Sequence, residues 1–262
     1  MNIGGYSRVW WVLLLGTSQI AFQSRFGAVL FLLGKLLRYV FFLLFIILLV
    51  GKTKAIAGYG FWQVILFYAT FNLLDAVPQF LFRNVYRFRQ QILNGYFDFL
   101  LLKPLPSLFH PLLGGSDILD LLLIVLSIGL VVVAGAHLDS ITVSHVFFYM
   151  LLILNGFIIS LAFHIFVVGI GILSTAVDNT IMLYRDLMQM GRLPIEVYQE
   201  PLRGLLTFVI PIGIMIAFPS KALLGILSWQ TGLVGILVGF LLLLGSLRFW
   251  SYALTQYTSA SS

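Results

Sequence analysis

Cysteine is absent from the 262 residues. Its absence removes disulfide staples, thiolate metal sites and thiol nucleophiles from consideration. Charge is also scarce: 9% of residues are Asp, Glu, Lys or Arg, against about 25% in an ordinary soluble domain. With 61% hydrophobic residues and a mean hydropathy of +1.07, no water-facing globule of this length can hide its apolar surface, so lipid must be part of the solvent. The two-residue alternation of a barrel strand is missing as well. Tyr39–Val50 and Leu122–Ala134 are apolar runs without period-two alternation, unlike the apolar-out, polar-in pattern of a membrane barrel. A backbone in hydrocarbon must satisfy its own hydrogen bonds, which leaves helices. The fold class is therefore all-α: a polytopic membrane protein with about six transmembrane helices.

Signatures of catalysis are missing too. His110, His137, His145 and His164 show no H-E-x-x-H spacing, and no G-x-S-x-G elbow occurs. Gly51-Lys52-Thr53 resembles the end of a phosphate-binding loop, but position 46 is Ile where the loop needs glycine. The tripeptide reads better as a polar cap on a span. No catalytic residue, metal ligand or cofactor is expected in this chain. The net charge of +6 points to loop asymmetry in a membrane protein rather than to nucleic acid.

What is present is a series of apolar spans. Residues 7–25, with Trp10, Trp11, Gln19, Gln23 and Arg25, read as an interfacial helix retained ahead of the first span. Spans follow at about 26–50, 60–82, 118–134, 146–172 and 232–252. A fifth in chain order, 205–218, is short, is interrupted by Pro211, and combines with 219–227 as a broken or re-entrant element. Two polar stretches remain, a coupling region at 83–110 and a second segment at 174–204 that includes Asp178, Glu196 and Glu200. Both are expected in the cytoplasm together with both termini. That orientation places Arg8, Arg25, Arg83, Arg87, Arg89, Lys103, Arg185, Arg192, Arg203 and Arg248 inside, and only Lys52, Lys54 and Lys221 outside.

Charges inside spans are costly and mark pathways or internal pairs. Lys35 and Arg38 share one face of the first span; Asp75 lies one turn from Asn72 in the second; His164 lies in the fourth. These five are candidate pathway residues. The structural alternative is that Lys35 and Arg38 snorkel to headgroups while Asp75 pairs with one of them. Asp75 with His164 would suit an ion-coupled secondary transporter, although no internal repeat supports one. Gly235-x-x-x-Gly239 allows a close helix contact, and Pro78 and Pro211 allow kinks.

Several blocks carry a resemblance. Gly95-Tyr96-Phe97-Asp98-Phe99-Leu100-Leu101-Leu102-Lys103-Pro104-Leu105 resembles the glycine–acidic–leucine-rich–proline signature of type-two ABC exporter permeases. Residues 191–198, residues 206–211 with 218–225, and the tail 257–262 resemble a bacterial six-helix branch of that group. Lys35 and Arg38 depart from it, falling where the branch is usually apolar. The resemblance implies a pathway formed by two permease subunits, identical or related, in the bacterial inner membrane. It also implies separate ATPase subunits that carry ATP and Mg and dock on the 83–110 loop. Arg87, Arg89, Gly95, Tyr96, Asp98, Lys103 and Pro104 are the implied coupling residues. Ile92, Tyr96, Phe97 and Leu100 are expected to seat in the partner's groove.

Overall fold

The computed structural model describes residues 3–139, 141–174 and 177–258; the 259–262 tail and the side chain of Asp178 lie outside the described residues. Helices α1 (Ile3–Gln23), α2 (Arg25–Thr53) and α3 (Phe61–Leu81) open the chain. Short helices α4 (Phe88–Leu93), α5 (Tyr96–Leu101) and α6 (Phe109–Leu113) follow, then α7 (Leu121–Ala136), α8 (Val143–Leu173) and α9 (Val177–Gln189). A pair bent by 76°, α10 (Leu202–Val209) and α11 (Gly213–Leu223), leads to α12 (Trp229–Thr255). Among the described residues five helices are long and apolar enough to cross a membrane, and the bent pair has the length and composition of one broken span or of a re-entrant loop.

Polar residues set the helix limits. Ser24 breaks α1 from α2 and its hydroxyl accepts from Gly27 N at 3.2 Å. Ser228 opens α12 in the same way through Thr231 N at 3.2 Å. Between α2 and α3 the chain reverses through Lys54, Ala57 and Gly58, all at positive φ, with Ile56 and Tyr59 bonded across the turn.

α3 and α8 form the centre; α7 packs on α3 and α12 on α8. Apolar burial does not drive helices together in lipid, so close approach and polar contacts must. Gly232 of α12 lies against the Phe148 ring and Gly239 against the Asn155 amide, where a Cβ would collide. The approach lets Asn155 Nδ2 donate to Gly235 O at 3.0 Å. Gly232 and Gly239 thus face α8, while Gly235 turns its Cα toward Phe218 and Ile214 of α11 and gives α8 its carbonyl. α1 occupies the segment expected at the interface. Trp10 Nε1 donates to Ser116 Oγ at 3.0 Å and Thr17 Oγ1 to Ser116 O at 2.9 Å, which fixes it beneath the end of α3.

One path differs from the sequence reading. Tyr184 of α9 lies opposite Ser160, hydroxyl to hydroxyl at 3.1 Å. Gly191 packs on Ile212 and Ile216, and the Arg192 guanidinium sits over the rings of Phe42 and Phe71. Glu196 pairs with Lys221 and lies beside Tyr59 of the α2–α3 turn, whose hydroxyl is pushed up to about 12 by burial and by that carboxylate. An ion pair cannot join opposite sides of a membrane, so Glu196 inside and Lys221 outside do not hold together. Charges in 185–196 hid the climb from a hydropathy window because rings and ion pairs accommodate them.

Candidate coupling segment and charged cleft

The 83–110 region is a folded block. After the turn Arg83–Arg87, α4 ends at Asn94, and Gly95 adopts φ 67°, ψ 7°. That left-handed conformation costs a residue with a Cβ roughly 1–2 kcal/mol. Gly95→Ala is accordingly expected to loosen the α4–α5 turn by about that amount while leaving the spans intact, seen as faster amide exchange confined to 88–101.

The turn gives α5 two unlike faces. Inward, Phe97 and Leu100 are buried with Phe88, and Phe97 packs edge-on against Trp250 and Tyr257 at 6.3 and 5.2 Å. The Tyr257 hydroxyl donates to Asp98 Oδ1 at 2.9 Å and Trp250 Nε1 to Ser107 Oγ at 3.1 Å. The block is therefore fastened to the end of α12, and Ile165 and Val168 of α8 complete its core. Outward stand Leu93, Tyr96, Phe99 and Leu102, the last two 64% and 82% exposed, with Arg87, Lys103 and Pro104 exposed around them. Arg89 is half-buried. The expectation that Phe97 and Leu100 reach a partner is corrected: both are core. Six-residue helices carry too little periodicity to reveal which side faces in, and Phe99, the better candidate, was missed for that reason.

His110 lies under the block, its ring 6.1 Å from Tyr96. Burial, then the nearby Lys103 charge, lowers its pKa from the usual 6.5. The unfolded chain thus binds a proton at a higher pH than the folded one. The contribution is complete above about 6.5 and is lost as pH falls through the lowered folded value. His110→Gln is expected to flatten the acid limb of a thermal-stability profile measured from pH 7 to 5; an unchanged limb would assign it to other groups.

The intramembrane charges divide differently from the sequence expectation. Lys35 pairs with Asp120, not with Asp75; the two side chains are 10% and 1% exposed. Asp120, in the first turn of the 118–134 span, is not among the five candidates read from the sequence. Arg38, Asn72 and Asp75 line one narrow chamber with Tyr68 and Arg192, and Asn72 Nδ2 donates to Tyr68 O at 2.7 Å. Arg192, assigned by sequence to the second polar segment, thus joins the pathway candidates. His164 is held apart from these: it is 2% exposed, its Nδ1 lies 2.7 Å from Ser160 O of its own helix, and Phe82 and Tyr184 flank its ring.

A bundle of lipid-compatible helices with a compact block fastened to the ends of two of them defines an all-α polytopic membrane protein. A family model described as "ABC-2 family transporter protein" matches residues 36–261, and the chain belongs to that family. No curated protein and no solved structure matches it significantly.

Proposed function

We propose that the chain is the permease subunit of an ATP-driven exporter in the bacterial cytoplasmic membrane, working as a dimer with separate ATPase subunits that carry ATP and Mg. The observation that carries this reading is the two-faced coupling block. An apolar ridge of Leu93, Phe99 and Leu102 faces outward, and the opposite side is locked to α8 and α12. A ridge of this kind seats in a groove on a partner, and the lock passes a push on the ridge to the bundle.

In the proposed orientation both termini and the coupling block are cytoplasmic, and α1 lies in the inner headgroup layer. Arg8, Arg83, Arg87, Arg89, Lys103 and Arg248 are on that side. The stretch 177–197 is the fifth crossing, and the bent α10–α11 pair re-enters from the outer side. Arg192 then lies within the membrane, and Glu196, Arg203 and Lys221 lie toward the outside. A cysteine introduced at Glu200, labelled from outside in intact cells, supports this path; labelling only after permeabilisation refutes it. The ion-coupled alternative draws less support, because His164 is committed to Ser160 and enclosed by rings.

The test of the main reading is co-expression with a candidate ABC ATPase subunit from the same genome. The two should co-purify, and ATP turnover by the reconstituted complex should change with the permease present. Vectorial flux through the chain alone, driven by a pH gradient, would refute it.

A further inference from the structure

Along the outside of α2 runs a groove of about 390 Å³ whose lining includes Lys35, Arg38, Arg83 and Arg185. It adjoins a second cavity of about 230 Å³, with which it shares Phe31 and Arg83 and which adds Arg87. Inward it meets the chamber holding Arg192, through Lys35 and Arg38. The groove touches the coupling block only at its first turn, through Arg83 and Tyr86, and lies apart from the outward ridge of Leu93, Phe99 and Leu102.

The cations are held in an unusual way. Phe31 carries the Lys35 ammonium 4.3 Å and the Arg83 guanidinium 5.7 Å from its ring centre. Tyr86 carries Arg83 at 5.2 Å and Arg185 at 5.7 Å. Aromatic faces attract cations and fix their positions without cancelling their charge. Three acids lie nearby: Asp120 on Lys35, Asp117 at 3.7 Å from Arg83, and Asp75 in the chamber. Against them stand Lys35, Arg38, Arg83, Arg87, Arg185 and Arg192, so positive charge is in excess. Arg38 sits midway along a span on its exposed face, a place where a cation requires an anion or water. Arg192 Nε is buried without an acceptor. At Gly34, which lines the groove, there is open space, and beside it Leu30, Leu33 and Leu37 are exposed.

We propose that this groove binds the phosphate-type headgroup of an anionic amphiphile that enters sideways from the bilayer beside α2. Planar guanidinium forks match phosphate oxygens in pairs, and the apolar flank of α2 accepts the chain that carries the headgroup. The inference deepens the transport reading and rests on it only for what happens after binding.

The test uses the full chain in phosphatidylcholine nanodiscs with pyrene-labelled phosphatidic acid or pyrene-labelled phosphatidylcholine, read by energy transfer from tryptophan. The expected result is a preference of about tenfold or more for phosphatidic acid, given the contribution of each basic residue near an anionic lipid. Arg38→Gln with Arg185→Gln should abolish the preference while leaving the Lys35–Asp120 pair in place. Gly34→Phe should abolish it with every charge retained, and Arg248→Gln, an exposed cation on α12, should not change it. Equal binding of the two lipids, or a preference that survives Gly34→Phe, overturns the proposal. Displacement by inorganic phosphate as effective as by unlabelled phosphatidic acid assigns the groove to free phosphate and overturns lateral entry. The binding assay contains no ATPase, so its failure faults the groove alone, while failure of the separate ATPase co-purification faults the exporter reading alone.

Discussion

Asp120→Ala is expected to destabilise the protein by about 3–5 kcal/mol, the usual consequence of stranding one partner of a buried ion pair. Lys35, whose side chain is 10% exposed, would lose the carboxylate it is paired with. The pair joins α2 to the start of α7 across 85 residues of sequence, so its loss frees one helix from the other rather than disturbing either internally. Lys35→Met with Asp120→Leu should recover most of the loss, because desolvating two charges offsets much of their attraction and apolar replacements of similar volume are often neutral. Asp120 Oδ2, buried without a hydrogen-bond partner, adds to the case that the site is not optimised for stability. Denaturant titration in detergent micelles measures all three variants. If the double variant were as unstable as the single one, the ion pair would be contributing something other than mutual neutralisation.

Two neighbours in α5 should separate folding from coupling. Phe97→Ala removes a ring buried among Phe88, Trp250 and Tyr257. It should cost about 3–5 kcal/mol, the range for truncating a core Phe, and release the coupling block from α12. Phe99→Asp, two residues on and 64% exposed, should leave the melting transition where it is. Its effect belongs in the complex: losing an aromatic anchor at a protein interface costs about 2 kcal/mol or more, so affinity for the ATPase should fall by more than about tenfold. Thermal unfolding of the isolated chain and pull-down of the ATPase report the two effects separately. A Phe99→Asp protein that binds its ATPase normally would remove the outward ridge from the interface.

The connection to α12 gives the coupling block a mechanical consequence. Asp98 and Ser107 are bonded to Tyr257 and Trp250, so a displacement of α5 acts first on the end of α12. From there the close Gly235–Gly239 contact carries it to α8. The loop is contiguous in sequence with α3, yet its firmest attachments are to helices far along the chain.

Composition and hydropathy were enough for the class of fold, because lipid imposes one rule on every span: backbone polar groups must bond within the helix. Long apolar runs with Ser, Thr or Gly at their ends could therefore be placed within a few residues, whereas the proposed coupling role of 83–110 rests on the resemblance of its glycine–acidic–leucine-rich–proline block. Packing alone decided the rest. Whether Phe97 or Phe99 faces outward depends on how a six-residue helix is rotated by the Gly95 turn. Lys35 takes Asp120 instead of Asp75 because α7 starts beside that part of α2. Residues 185–196 run from α8 to α3 and the bent pair despite their charges, because Phe42, Phe71 and Lys221 receive them. In each case the deciding partner lies far away in sequence, and a local pattern contains no record of it.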